Sequence, residues 1–233
     1  MKKFIFMILA AICSIMTVSA QSQSNYCGSS KFFDNVSIGV VGGVETNLND
    51  WNAPQGAVAG IVLNKEISPI FGVTLEGNTN INGLRNWASD ASHICSNTFD
   101  AFSVYLTPRV NWTNALFGYK GSPRKFEVET VTGLGYGNFA YDDSHNALLA
   151  KAGLNLNYKL NDAVTVMLRP AVLYDLSATN VKFDSRFAVA QLTAGIVYHF
   201  KTSNGTRSFK KAKLYSQSEV DALNAKITDL QSH

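Results

Sequence analysis

The sequence predicts an all-β fold, an eight-stranded antiparallel transmembrane β-barrel with a short C-terminal helix. Three observations predict it. Successive stretches alternate apolar residues with small or polar ones at period two, which puts one kind of side chain on each face of a strand. Beyond residue 20 no apolar run comes near the ~20 residues that a membrane helix needs. The connections after the first, third and seventh stretches are long and polar and that after the fifth is shorter but polar, while those after the second and sixth are tight and that after the fourth is modest. Outer-membrane barrels have that parity, with short turns at one end and longer loops at the other. A soluble β-sandwich, the alternative, needs neither the parity nor so consistent a polar second face.

Residues 1–20 read as a signal peptide. Lys2 and Lys3 precede the apolar run Phe4 to Val18, and Val18-Ser19-Ala20 supplies small residues for cleavage. A lipoprotein reading would use Cys13, but Ile12 before it is bulky. The formal charge is +3. Removing Lys2 and Lys3 leaves little net charge and no nucleic-acid footprint. Cys27 and Cys95 remain, and the topology puts them on opposite sides of the membrane, so both are expected unpaired. Residues 21–34 form a polar lead-in, either loosely ordered or anchored by Phe32 and Phe33.

Residues 35–200 form the expected barrel. The first strand, about 36–46, turns Val36, Ile38, Val40 and Val44 outward and Ser37, Gly39, Gly43 and Glu45 inward. The second, about 56–66, faces Ala57, Ala59, Ile61 and Leu63 outward. Ser68-Pro69 turns into the third, about 70–82, with Thr74, Glu76, Asn78 and Asn80 inward. The fourth, about 101–113, carries Phe102 to Trp112 outward and Tyr105, Thr107, Arg109 and Asn111 inward. Pro108 removes a ladder donor and suggests a bulge or an edge. The fifth, about 126–139, has Glu127 and Glu129 inward, followed by a row of glycines that makes room for bulky lumen neighbours or lets the sheet bend. The sixth, about 147–160, alternates most cleanly, with Lys151, Asn155 and Lys159 inward. The seventh, about 164–176, puts Arg169 and Asp175 inward and repeats the oddity at Pro170. The eighth runs about 187–200.

Residues 201–215 are a basic linker, whose Arg207, Lys210, Lys211 and Lys213 suit solvent, phosphates or the anionic cell wall. Residues 216–233 are expected to form a periplasmic helix. Ser216 and Glu219 have capping-box spacing, and Val220, Leu223, Ile227 and Leu230 recur at heptad spacing. A frayed linker helix and a short self-associating coil both fit.

An eight-stranded barrel is only just wide enough for side chains. The inward charges Glu45, Glu76, Glu127, Glu129 and Asp175 must therefore pair with Arg109, Lys151, Lys159 and Arg169 across the lumen. A static polar plug and a narrow low-conductance porin gated by exchanging ion pairs are the two readings. A lipid-modifying enzyme would need His with Ser and an acid in reach. His93 and His145 have such residues only one to three positions away, which is poor triad geometry, and His199 faces the lumen rim. The chain is therefore read as a non-enzyme. No metal spacing or cofactor motif occurs, and none is expected. Loop residues Trp51, Trp87 and Phe183 leave room for an adhesion or binding role.

Two resemblances add to this reading. Thr193, Gly195, Tyr198 and Phe200 match the closing-strand pattern by which outer-membrane barrels are recognised by their assembly machinery. The chain also resembles the amino-terminal barrel of OmpA-like major outer-membrane proteins of the Bacteroidetes type. Lys31-Phe32-Phe33-Asp34-Asn35, Phe126 to Val131 with Gly133-Leu134-Gly135-Tyr136-Gly137, Leu192 to Phe200, and Ser218 to Asn224 carry the likeness. It implies a structural barrel of the cell outer membrane, with periplasmic termini and outer-membrane lipid, lipopolysaccharide and the barrel assembly machinery as partners. Members usually continue into a peptidoglycan-binding domain. Here the sequence stops at His233, where that domain would begin, so no residue inherits the peptidoglycan role.

Overall fold

The computed structural model describes residues 31–49, 56–81, 99–138, 146–177, 185–210 and 217–231. The alternating stretches become β1 (Val36–Asn47), β2 (Gly56–Glu66), β3 (Phe71–Ile81), β4 (Phe99–Asn111), β5 (Phe126–Asn138), β6 (Asn146–Lys159), β7 (Val164–Asp175) and β8 (Ala188–His199). Each strand pairs antiparallel with its sequence neighbours, and β8 pairs back onto β1 from Ser37↔His199 to Asn47↔Val189. The sheet is thus a closed barrel of eight strands, 11 to 14 residues each. Tilted strands of about 9–11 residues suffice to cross a hydrocarbon layer. Among the described residues no helix is long and apolar enough to do so.

Period two sorts the side chains as the pleat requires. Ile38, Val40, Ile61, Leu63, Phe102, Val104, Leu134, Leu154, Leu192 and Ile196 stand exposed on the outer wall, Val40 at 62 % and Phe102 at 64 %. A water-soluble protein rarely exposes a continuous apolar surface of this kind. The inner face is buried and largely polar or charged.

Three local expectations need correction. First, β4 stops at Asn111, and Trp112–Phe117 forms a one-and-a-half-turn helix, α1. The Asn111 side chain caps it by accepting from the Asn114 amide at 2.9 Å, and Gly118 ends it at φ 66°. Second, neither proline sits at a bulge. The β4–β5 ladder holds one register on either side of Pro108, from Leu106↔Leu134 to Arg109↔Val131. The β6–β7 ladder does the same around Pro170, from Gly153↔Ala171 to Leu156↔Leu168. The missing donors leave gaps in pairing without an inserted residue. The β3–β4 ladder does shift register, at Asn80/Ile81.

Third, residues 201–209 are not a solvated linker. They fold onto the barrel end that carries the short turns. Asp34 accepts from the Ser203 amide at 2.6 Å and the Ser203 hydroxyl at 2.8 Å, and the Lys65 ammonium donates to the Asp34 carbonyl. These Ser203 hydrogen bonds, backbone first, hold the Asp34 carboxyl below its ordinary value. The Arg207 guanidinium donates to the His199 carbonyl, and Tyr119 Oη donates to the carbonyl of buried Phe209 at 2.8 Å. A separate helix, α2 (Gln217–Gln231), follows in sequence at the expected place, with Leu223, Ile227 and Leu230 exposed.

Candidate functional site: the lumen

The lumen is built by inward residues of all eight strands, and its centre is Glu76 on β3. Its side chain is fully buried and sits between two cations. Lys151 Nζ on β6 donates to Oε1 at 2.7 Å, and Arg169 Nη2 on β7 donates to Oε2 at 2.5 Å. Asn78 Nδ2 adds a third donor at 2.7 Å. A carboxylate that has lost water is tolerable only when its lone pairs are taken up in this way.

From Glu76 the hydrogen bonds continue both ways. In one direction Lys151 reaches Gln191 Oε1 on β8 at 3.3 Å, and Gln191 Nε2 donates to Glu45 on β1 at 3.3 Å. Asn80 donates to the same Glu45 carboxylate. In the other direction Arg169 Nε donates to Asn155 Oδ1 on β6 at 3.0 Å, and Asn155 Nδ2 donates to Glu129 on β5 at 3.4 Å. Glu129 pairs with Arg109 Nη1 on β4 at 2.9 Å, and Arg109 Nη2 pairs with Glu66 at the end of β2. One connected chain of polar side chains therefore draws a member from every strand.

Several inward charges are placed differently from expectation. Lys159 does not reach across the lumen. It pairs at 2.7 Å with Asp162 in the β6–β7 turn, and that contact holds the exposed Asp162 carboxyl below its ordinary value. Glu127 takes neutral donors: Asn111 Nδ2 at 3.0 Å, Asn114 Nδ2 at 3.3 Å and the Arg124 amide at 3.0 Å. Asp175, buried at the far end of β7, accepts from the Ser177 amide at 2.7 Å. Glu66 joins the network without having been among the expected charges, although it lies on the inward parity of β2, where Asn64 also points.

Apolar layers fill the rest. Tyr105, Ala147, Leu149, Leu173 and Val189 form one buried cluster, and Val41, Val62, Met167 and Val197 another. Lys151 Nζ lies 5.2 Å from the Tyr105 ring centre. The glycine row on β5 makes this possible, since a Cβ on Gly135 would strike that ring and one on Gly133 would strike the Leu106 carbonyl. The ion pairs and the two apolar clusters thus share one inner face, with Val62 opposite Glu76 and Leu173 opposite Lys151 in the ladders.

The closing-strand residues lie as the parity requires. Thr193 is buried inside, while Tyr198 and Phe200 are exposed outside with ring centres 5.4 Å apart at a steep angle. His199 Nε2 is 2.9 Å from Thr165 Oγ1. His93, His145, Cys27, Cys95, Trp51, Trp87, Phe183 and the signal peptide fall outside the described residues. Among the described residues no group of three or more metal-ligating side chains occurs.

No family model and no curated protein matches the chain. Solved structures do. It is similar to the N-terminal β-barrel domain of Pseudomonas aeruginosa OprF, at 13% identity and TM-score 0.45, over 71% of this chain and 97% of that one. It is similar to Neisserial surface protein A, at 14% identity and TM-score 0.44, over 71% and 96%. A de novo designed transmembrane β-barrel is similar at 15% identity and TM-score 0.41, over 73% and 98%. At such identities and scores, what this barrel does rests on its own wall and lumen.

Proposed function

We propose that the chain is an outer-membrane β-barrel of the OmpA-like kind that acts through its fold, contributing to envelope integrity with a sealed lumen. The observation that carries this reading is the single hydrogen-bonded chain from Glu66 to Glu45, to which every strand contributes. Opening a path would separate buried charges from their partners. The exposed apolar wall supports membrane insertion. The motifs quoted from the sequence support the affinity to the Bacteroidetes-type barrels. In this reading the short-turn end, with Asp34 and residues 201–209, is periplasmic. No reaction is assigned to any residue.

Planar-bilayer recording of the mature chain tests the seal. Long silent records are expected. Frequent discrete steps, altered by Arg109→Ala or Glu129→Ala, would replace the sealed barrel with a narrow pore.

A further inference from the structure

The short-turn end carries more than turns. On α1, Leu116 and Phe117 are exposed at 71 % and 72 %. Six residues is too short for a stable free helix, and Leu116 and Phe117 stand clear of the barrel wall, so water is a poor environment for them. Phe126, Leu160 and Phe200 stand exposed at the same rim.

Cations are laid over these rings. The Arg124 guanidinium lies 5.9 Å from the Phe117 ring centre and also ties down the end of α1, donating to the Phe117 carbonyl at 3.0 Å and the Gly118 carbonyl at 2.8 Å. Arg207 lies 5.0 Å from the outward Tyr198 ring. Neither forms an ion pair among the described residues. Lys120, Lys125 and Lys201 are exposed beside them, and they too have no carboxylate partner there.

The charge is one-sided. Residues 112–126 hold three basic residues and no acid, and residues 201–209 hold two basic residues and no acid, while Asp34 and Asp162 at this end are taken up by Ser203 and Lys159. In sequence, the connections that follow β1, β3, β5 and β7 (48–55, 82–98, 139–145 and 176–187) hold five aspartates and three basic residues. An apolar rim needs acyl chains, and unpartnered cations one side chain further out need anions at the depth of lipid phosphates.

Resting on the membrane-barrel reading above, we propose that the short-turn end is a docking collar for anionic phospholipid headgroups. Leu116 and Phe117 sit among acyl chains, and Lys120, Arg124, Lys125 and Lys201 face phosphates. The collar enriches anionic lipid around the barrel in the leaflet at that end and fixes the depth at which the barrel rides.

The test uses the full mature chain in bilayers of phosphatidylcholine with phosphatidylglycerol, and spin-labelled probes of each lipid. Motionally restricted phosphatidylglycerol should exceed restricted phosphatidylcholine around the wild type. Raising salt should erode the preference. K120Q/K125Q/K201Q, which changes only exposed lysines, should reduce it roughly two-fold or more. Millimolar inorganic phosphate at constant ionic strength should leave it unchanged. Equal restriction of the two lipids, an unchanged preference in the triple variant, or its loss to free phosphate would each overturn the collar. Absence of any restricted phosphatidylcholine would instead sink the membrane-barrel reading itself.

Discussion

Removing the Glu76 carboxylate strands two cations in the middle of the barrel. In Glu76→Ala, Lys151 would keep the Gln191 oxygen at 3.3 Å and Arg169 the Asn155 oxygen at 3.0 Å, both neutral. Neither cation could reach water, since both are almost fully buried. Truncating one partner of a buried pair costs about 3–5 kcal/mol, because the surviving charge is left uncompensated. Glu76→Gln keeps the shape and one acceptor, and should cost less, about 1–3 kcal/mol. The informative companion is Glu76→Leu/Lys151→Met/Arg169→Met. It removes all three charges together at similar volume, and buried ionic triads replaced in this way are often neutral or gain stability. Urea titration of the refolded barrel in a Trp51→Phe/Trp87→Phe background, followed by Trp112 fluorescence and by the mobility of unboiled protein on gels, measures all three. Trp112 reports on the wall because its Nε1 donates to Thr130 Oγ1 on β5 at 2.9 Å. The midpoints should shift with little change in slope. If Glu76→Ala loses less than about 1 kcal/mol, or the apolar triple loses as much as the single variant, charge burial is not what Glu76 relieves.

Two further outcomes are expected. The Asp34 carboxyl lies below its ordinary 3.8, so its contribution is complete above that value and disappears as pH falls through the lower folded value. The latch of Ser203 onto Asp34 should therefore persist from pH 7 to pH 5 and release only below about pH 3.8. Hydrogen-exchange protection of the Ser203 amide reads this directly. Asp34→Asn should lower protection throughout and flatten its pH dependence, and a fall already between pH 7 and 5 would refute the assignment. The β5 glycines should separate by what they touch. Gly133→Ala meets the Leu106 and Thr107 backbone and should cost about 1–3 kcal/mol whatever occupies position 105. Gly135→Ala meets the Tyr105 ring first, so Tyr105→Leu should recover part of its loss in the same urea titration. Equal recovery at both glycines would show that the Tyr105 ring is not what excludes a side chain at position 135.

The strands were legible because lipid on one side and a packed lumen on the other enforce period two at every step, as along Leu148 to Tyr158. The end of β4 was not, because Trp112 continues the alternation for one residue past the Asn111 cap. The signal lay in Asn111 and Gly118 bracketing a helical turn. Inward polarity identified Glu76, Arg109, Lys151 and Arg169 as candidates, but not their partners, which lie up to 93 residues apart in sequence. Glu66 had the right parity and went unread at a strand end. Lys159 had it too, yet Asp162 three residues on offers a nearer anion. The apolar lumen residues Leu149, Leu173 and Val197 share the parity of the charges, so a rule that equates inward with polar passes over them. Nothing local marks residues 201–209 as packed, since Asp34, Tyr119 and the strand ends that hold them come from distant segments.

The β1–β8 seam joins the first strand to the last. A growing or truncated chain lacking β8 has two raw edges, whose amides and carbonyls have no partner in hydrocarbon. Partial versions of this wall are therefore not smaller walls. The last strand to arrive completes every other strand's stability at once, and anything that escorts the chain to the membrane must shield both margins until Ser37 meets His199.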